Sequence, residues 1–220
     1  MSLARGVFVT GTGTEVGKTV VAAAIARTAA AEGVAVRVFK PAVSGLDEGG
    51  EADHELLRRA SGSPQTDDEI APYRYGPAVS PHLAAALAGE EIDPARLHAV
   101  ATAAAAGAEA LVCEGVGGLL VPLTADGYLV RDLLTDLGHP AVIAAAPGLG
   151  TINHTLLTIE AVRSAGLEVR AVVLTPWPAD PGPMERSNRA TIAALGEVEV
   201  LTLERLDLAD PAGWPALPGV

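Results

Sequence analysis

The sequence predicts an α/β fold, a mostly parallel central sheet flanked by helices on both faces, and three observations predict it. Short apolar runs rich in β-branched residues, at 6–10, 35–39, 110–113, 141–145, 169–174 and 198–201, alternate with longer stretches of helical character. That is the pattern of repeated strand–helix–strand units around a parallel sheet. Hydrophobic residues make up 49% of the chain but aromatics only 3%, so the core must be built from Ala, Val, Leu and Ile, which suit close packing of helix on sheet. A length of 220 residues suffices for one compact domain with a substantial core and leaves no room for a second, so a single domain over 1–220 is expected.

Taken in order, the first five residues lead almost at once into a glycine-rich loop, which is not the layout of a signal peptide. The strand at 6–10 enters the loop 11–19, and a helix follows that sets Val20, Val21, Ala24 and Ile25 on one face. Gly33 closes that helix as a left-handed residue, and the same role is expected of Gly107, Gly166 and Gly196. The second strand ends at Lys40, before Pro41. The segment 46–52 is acidic and Gly-rich and reads as a surface loop; Glu51, Asp53 and Glu55 then open a helix whose positive end favours acids. Asp93-Pro94 is an N-cap followed by proline at the first helical position. The alanine-rich run near 99–110 is broken by Gly107 and Glu109, and no apolar segment approaches the ~20 residues of a membrane helix. The segment 176–183 is a Pro-rich loop, and the tail 206–220, with Pro211, Gly213, Pro215 and Pro218, has no periodicity. No internal repeat is present.

The formal net charge of −12 repels nucleic acid over most of the surface, so a polyphosphate must bind in a local site lined by amides and lysines. Neither nucleic acid nor membrane is an expected partner. The single cysteine, Cys113, lies in an apolar run and has no internal disulfide partner; it reads as an inert core thiol in a reducing cytoplasm. His54, His82, His98 and His139 show no metal-ligand spacing with it.

The strongest motif is VFVTGTGTEVGKTVVAAAIA, a buried strand, the loop and a helix in the order a P-loop needs. Gly13, Thr14, Glu15, Val16, Gly17, Lys18, Thr19 and Val20 are thus expected around the phosphates of ATP or another nucleoside triphosphate. Loop amides and the helix N-terminus attract the anion, Lys18 neutralises the outer phosphates and Thr19 ligates Mg²⁺. The loop is a variant, because the consensus G-x-x-x-x-G-K-[ST] places glycine at Thr12, whereas the glycines here are Gly11 and Gly13. Two carboxylates are candidates for the metal site. Glu114 ends the strand 110–113 at the carboxyl edge of the sheet, where α/β ligand sites form, and Asp53 opens the acidic helix. By the same strand-edge geometry Lys40 and Ser44 face the phosphate loop.

GTGTEVGKT, FKPAVSG, PYRYGPAVSPH, VCEGVGGLLVPL and LGTINHTLLT, in this order, resemble the dethiobiotin synthetases over nearly the whole chain. The resemblance implies a homodimeric enzyme that makes dethiobiotin from diaminopelargonate, CO₂ and a nucleoside triphosphate with Mg²⁺. It implies that Thr19, Asp53 and Glu114 surround Mg²⁺, that Lys18 and Lys40 stabilise charge on carbamate and γ-phosphate, and that Thr14, Glu15 and Ser44 line the diamine and carbamate region. It implies too that Gly115, Val116, Gly117 and Gly118 let backbone approach the substrate, and that Gly150, Thr151 and Asn153 open a helix, contributed in the family by the partner subunit, that holds the substrate carboxylate. His154 is not included in the catalytic set. At the position where the family reads adenine with Asn this chain has Thr175, followed by Pro176, which implies relaxed base choice. The rivals are another P-loop amide-forming synthase and a switch ATPase; the second carries a signature lysine where this loop has Gly13.

Overall fold

Residues 6–217 are described in the computed structural model of the chain; the N-terminal lead-in at 1–5 and Pro218 of the tail lie outside them. The chain runs β1 (Val7–Gly11), α1 (Lys18–Ala31), β2 (Val36–Phe39), β3 (Ala42–Val43), α2 (Asp53–Ser61), α3 (Asp67–Ile70), β4 (Tyr73–Arg74) and α4 (Pro81–Leu87). It continues through α5 (Pro94–Ala106), β5 (Ala110–Glu114), α6 (Val130–Leu137), β6 (Ala141–Ala145), α7 (Thr151–Ser164), β7 (Val169–Trp177), α8 (Pro183–Gly196) and β8 (Glu199–Glu204). Six strands form one sheet in the order β2-β5-β1-β6-β7-β8, with every neighbouring pair parallel. All six predicted runs are in it. The separate β3–β4 pair has two residues per strand, too few to leave a periodic signal.

Because side chains alternate across a strand, the sheet feeds two cores. Phe8, Leu111, Ile143 and Val172 pack with Leu97, Leu133, Ile159 and Ile192 from α5, α6, α7 and α8. Val9, Val112, Val142 and Val173 pack on the other face with Val21 and Ile25 of α1, Leu56 and Leu57 of α2, and Trp214 and Leu217 of the tail. Cys113 is in the first core, where burial pushes its thiol up and keeps it unreactive.

Three local expectations are corrected. Helix α1 is buried nearly all round, on Ala22, Ala23 and Ala26 as well as Val21, Ala24 and Ile25, while Val20 is only half-buried. It lies between the sheet, α2 and the tail, so no single face describes it. Gly107 does not take up the left-handed conformation (φ −92°), and Gly196 is still inside α8, where the left-handed residue is Glu197 (φ 45°). The close approach of α8 to α7 favours glycine at 196, where a Cβ would lie 2.9 Å from Ile159 Cδ1 and push it aside. Gly33 and Gly166 do end their helices with positive φ, and Asp93 Oδ1 accepts from Ala95 N at 2.9 Å.

The exposed edge of β2 is closed by a side chain. Buried Gln65 accepts from Val38 N at 2.8 Å through Oε1, and its Nε2 donates to Val38 O at 3.0 Å and Glu69 O at 3.2 Å, imitating a neighbouring strand. Gln65→Ala should cost about 2–4 kcal/mol of stability, because it orphans both backbone groups of a buried strand. Urea unfolding measures it, and a loss below about 1 kcal/mol would mean that water satisfies Val38 instead.

Candidate active site

The phosphate loop starts where β1 stops. Thr12 N donates to Ala144 O of β6 at 3.1 Å, and the loop then turns back over Gly11. A Cβ on Gly11 would lie 2.7 Å from Val16 Cγ2 and 2.8 Å from Lys18 Cγ, so the glycine required by this fold of the loop is residue 11 and not the consensus position occupied by Thr12. Gly17 has φ 86°, and a Cβ there would lie 2.5 Å from Thr175 Cγ2. Thr14 and Glu15 are exposed at the loop tip, where Glu15 has φ 60°, uncommon outside glycine. Val16 and Val20 anchor the loop by packing partly on the α1-side core. Helix α1 opens with no side-chain cap and no acid in its first turn, which leaves its amides and the positive end of its dipole for an anion.

Beneath the loop, four segments distant in sequence converge. Register explains part of it: β1 pairs with β5 so that Val9 faces Glu114, and β2 pairs with β5 so that Phe39 faces Cys113. Lys40 and Glu114 therefore leave adjacent strand ends together, and Lys40 Nζ is 2.6 Å from Glu114 Oε1. Helix α2 delivers Asp53, whose Oδ2 lies 2.8 Å from Lys40 Nζ. Thr19 Oγ1 is 2.8 Å from Glu114 Oε1 and 3.0 Å from Asp53 Oδ1. Asp53 is free to do this because its neighbours take the capping duties, Glu55 accepting from Ala52 N at 2.9 Å and Glu51 pairing with Arg59. Glu55 could not be singled out in the sequence, because Ala52 at the N-cap carries no side-chain oxygen to complete a capping box, and it reads like Asp53 as one more helix-start acid.

The electrostatics follow from two anions sharing one paired cation. Glu114 is 0% exposed, and burial raises its carboxyl above the ordinary range even beside Lys40. Burial would also raise Asp53, yet Lys40 and the Thr19 hydroxyl outweigh it and hold that carboxyl low. Burial alone would lower the Lys40 ammonium, but Glu114 and Asp53 keep it above its usual value. Lys18 is pulled down by burial; its Nζ donates to Gly13 O at 2.7 Å.

The residues present fit a divalent cation. Glu114 Oε2 is buried with no hydrogen-bond partner, and three oxygens of Thr19, Asp53 and Glu114 crowd together although the hydroxyl proton can serve only one carboxylate at a time. One hydroxyl and two carboxylates are hard oxygen donors of the kind Mg²⁺ takes beside substrate phosphates.

The second glycine loop lies against the first. Gly115 N donates to Val9 O at 2.8 Å, and a Cβ on Gly115 would lie 3.0 Å from both Phe8 Cε1 and Val130 Cγ1. The Cβ position of Gly118 is 3.8 Å from Gly11 O, and that of Gly117 is 3.7 Å from Thr14 Oγ1; half-buried Val116 packs on the first core. Thr175 is buried against Gly17, and Pro176 beyond it is exposed. Other predicted residues are not drawn in. Ser44 is half-buried after β3 with no hydrogen bond to the cluster among the described residues. Gly150 and Asn153 are exposed at the uncapped start of α7, and Thr151 turns inward, Oγ1 3.4 Å from Thr155 Oγ1.

The family described as an AAA domain matches residues 5–210. Over 199 residues the chain is 46% identical to the ATP-dependent dethiobiotin synthetase of Anaeromyxobacter dehalogenans, covering 90% of this chain and 89% of that protein. The protein of the same description from Rhodococcus erythropolis is 41% identical over 89% of this chain and 86% of its own, and that from Bacillus velezensis 37% identical over 90% and 84%. Among solved structures, the signal recognition particle receptor FtsY of Elizabethkingia anophelis shares the fold at TM-score 0.54 and 14% identity, over 98% of this chain and 62% of that one.

Proposed function

The chain belongs to the dethiobiotin synthetase family, and from that premise we propose how its residues carry out ATP-dependent closure of the ureido ring of dethiobiotin from 7,8-diaminopelargonate and CO₂. The observation that carries the proposal is the convergence of Lys18, Thr19, Lys40, Asp53 and Glu114 under the phosphate loop. One amine of the diamine adds to CO₂ and loses a proton, giving a carbamate. A carbamate oxygen attacks the γ-phosphorus and the bond to the ADP oxygen breaks, leaving a carbamic-phosphoric anhydride. The second amine attacks its carbonyl carbon and loses a proton, phosphate departs with the C–O electron pair, and the ring closes.

The protein's part is positioning and charge stabilisation. Lys18 exchanges Gly13 O for the outer phosphate oxygens, and Lys40, freed from part of its carboxylate pairing, stabilises the carbamate and the γ-phosphoryl group. Thr19, Asp53 and Glu114 hold Mg²⁺, which when bound neutralises charge on the phosphates. Thr14, Glu15 and Ser44 line the diamine and carbamate, and Gly115 to Gly118 bring backbone close to them. The free amides that open α7 hold the substrate carboxylate of a second copy, which makes the working unit a homodimer. Support comes from the exposure of Gly150 and Asn153 and of neighbouring Leu149, 95% exposed. Purified protein given the diamine, bicarbonate, Mg²⁺ and ATP should form dethiobiotin with diamine-dependent phosphate release; ATP hydrolysis indifferent to the diamine would favour a switch ATPase.

Base choice should be relaxed. Thr175 is 3% exposed with its methyl turned to Gly17, and one hydroxyl cannot reproduce the two-point contact an Asn amide makes with adenine. CTP, GTP and UTP should therefore support turnover with kcat/KM within about tenfold of ATP. An ATP preference above roughly a hundredfold would mean another group reads the base.

A further inference from the structure

The irregular C-terminal segment is tied to the two helices whose first turns build the site. From α1, Arg27 donates to Pro211 O and Ala212 O, both at 3.2 Å, and Thr28 Oγ1 accepts from Leu217 N at 2.9 Å. From α2, Arg59 Nη2 donates to Leu208 O at 2.6 Å and Nη1 to Ala209 O at 3.3 Å. The same guanidinium grips Glu51 with two bonds, 2.9 and 2.6 Å. Trp214 and Leu217 seal the segment onto the α1–α2 side of the core, and Trp214 Nε1 donates to Asp207 O at 2.6 Å.

The placement of Arg59 is what matters. It stands in the last turn of α2 and holds both the tail and Glu51, two residues before Asp53 at the other end of the helix. An isolated surface ion pair contributes little, but a planar fork that satisfies a carboxylate and two carbonyls fixes geometry as well as charge. We propose that residues 207–217 are a strap that seats α2 on α1, and that Arg59 is a positioning residue holding Asp53 within reach of Thr19 and Lys40. The inference rests on the assignment of Asp53 to the metal site. Loosening the strap impairs capture of the cation, not the chemistry after capture.

Four variants of the full chain test it, Arg59→Ala, Arg59→Lys, Arg27→Ala and Asp53→Asn, with two readouts well below the unfolding temperature. One is amide exchange at 51–57 without Mg²⁺ or nucleotide, and the other is the Mg²⁺ titration of dethiobiotin formation. Arg59→Ala should speed exchange and raise the half-saturating Mg²⁺ concentration by about tenfold each, with kcat at saturating Mg²⁺ within about twofold of the parent. Arg59→Lys, which keeps the charge and loses the fork, should fall between, and Arg27→Ala should move both readouts in the same direction. A lowered melting temperature with exchange and Mg²⁺ requirement unchanged would reduce the strap to a stabilising element and overturn the proposal. Asp53→Asn separates the two ideas. If it raises the Mg²⁺ requirement and Arg59→Ala does not, the strap fails alone; if it changes nothing, the metal assignment fails and the inference falls with it. Should Arg59→Ala not fold, Glu51→Ala, which leaves Arg59 and the strap in place, is judged by the same two outcomes.

Discussion

Lys18→Ala is expected to lower turnover by about 10²-fold or more at saturating substrates while leaving the folded protein as stable as its parent. Lys18 is 7% exposed, and among the described residues its ammonium donates a hydrogen bond only to Gly13 O and makes no ion pair. Burial pulls it down, so in the free protein this cation is held at a cost. Removing it relieves that cost and also removes the group that meets charge growing on the γ-phosphoryl oxygens. Steady-state kinetics and urea unfolding give the two halves of the result. Near-parental turnover would remove Lys18 from the reaction, and a loss of several kcal/mol would mean that it has a structural partner.

Lys40→Ala should fail differently. Lys40 is 3% exposed and bridges Glu114 Oε1 and Asp53 Oδ2, so its loss leaves two carboxylates facing each other around the Thr19 hydroxyl. Turnover should again fall by about 10²-fold or more, and stability without Mg²⁺ by about 3 kcal/mol, the low end for a broken buried pair because Asp53 is partly open to water. The deficit should depend on pH. Burial already raises Glu114 above its unfolded value, and loss of Lys40 raises it further. A carboxyl with a raised folded pKa favours the folded state below the unfolded pKa and loses that contribution as pH rises through the folded one. The variant should therefore approach its parent in acid and fall furthest behind above the raised pKa. Added Mg²⁺ should recover part of the loss by supplying positive charge. A stability difference independent of both pH and Mg²⁺ would contradict the shared-cation geometry.

The two lysines show where legibility stopped. Lys18 was readable because its partners are local: the strand, the loop glycines and the helix start lie within about 20 residues, and each obeys short-range turn chemistry. Lys40 showed only as a charge at a strand end, and Ser44, assigned by the same strand-edge logic, makes no hydrogen bond to the cluster among the described residues. Asp53 was one of three acids at a helix start, and nothing local separates it from Glu51 and Glu55. Gln65 gave no signal, since a buried glutamine that imitates a strand has no periodicity, and neither did the strap, whose prolines and glycines read as an irregular tail.

By itself the sequence determined the alternation of strand and helix, the position of all six strands of the sheet, the phosphate loop with Lys18 and Thr19, and the family, because hydrophobic period and turn chemistry act over a few residues and survive in the order of the letters. Only the tertiary structure decided the strand order β2-β5-β1-β6-β7-β8, the pairing of Asp53 with Lys40 and Thr19, and the closing of the tail over α1 and α2. Those depend on register and packing between segments far apart in the chain. Thr19 and Glu114 are 95 positions apart and meet because β5 pairs beside β1, a consequence of burying both faces of the sheet at once that no local window contains.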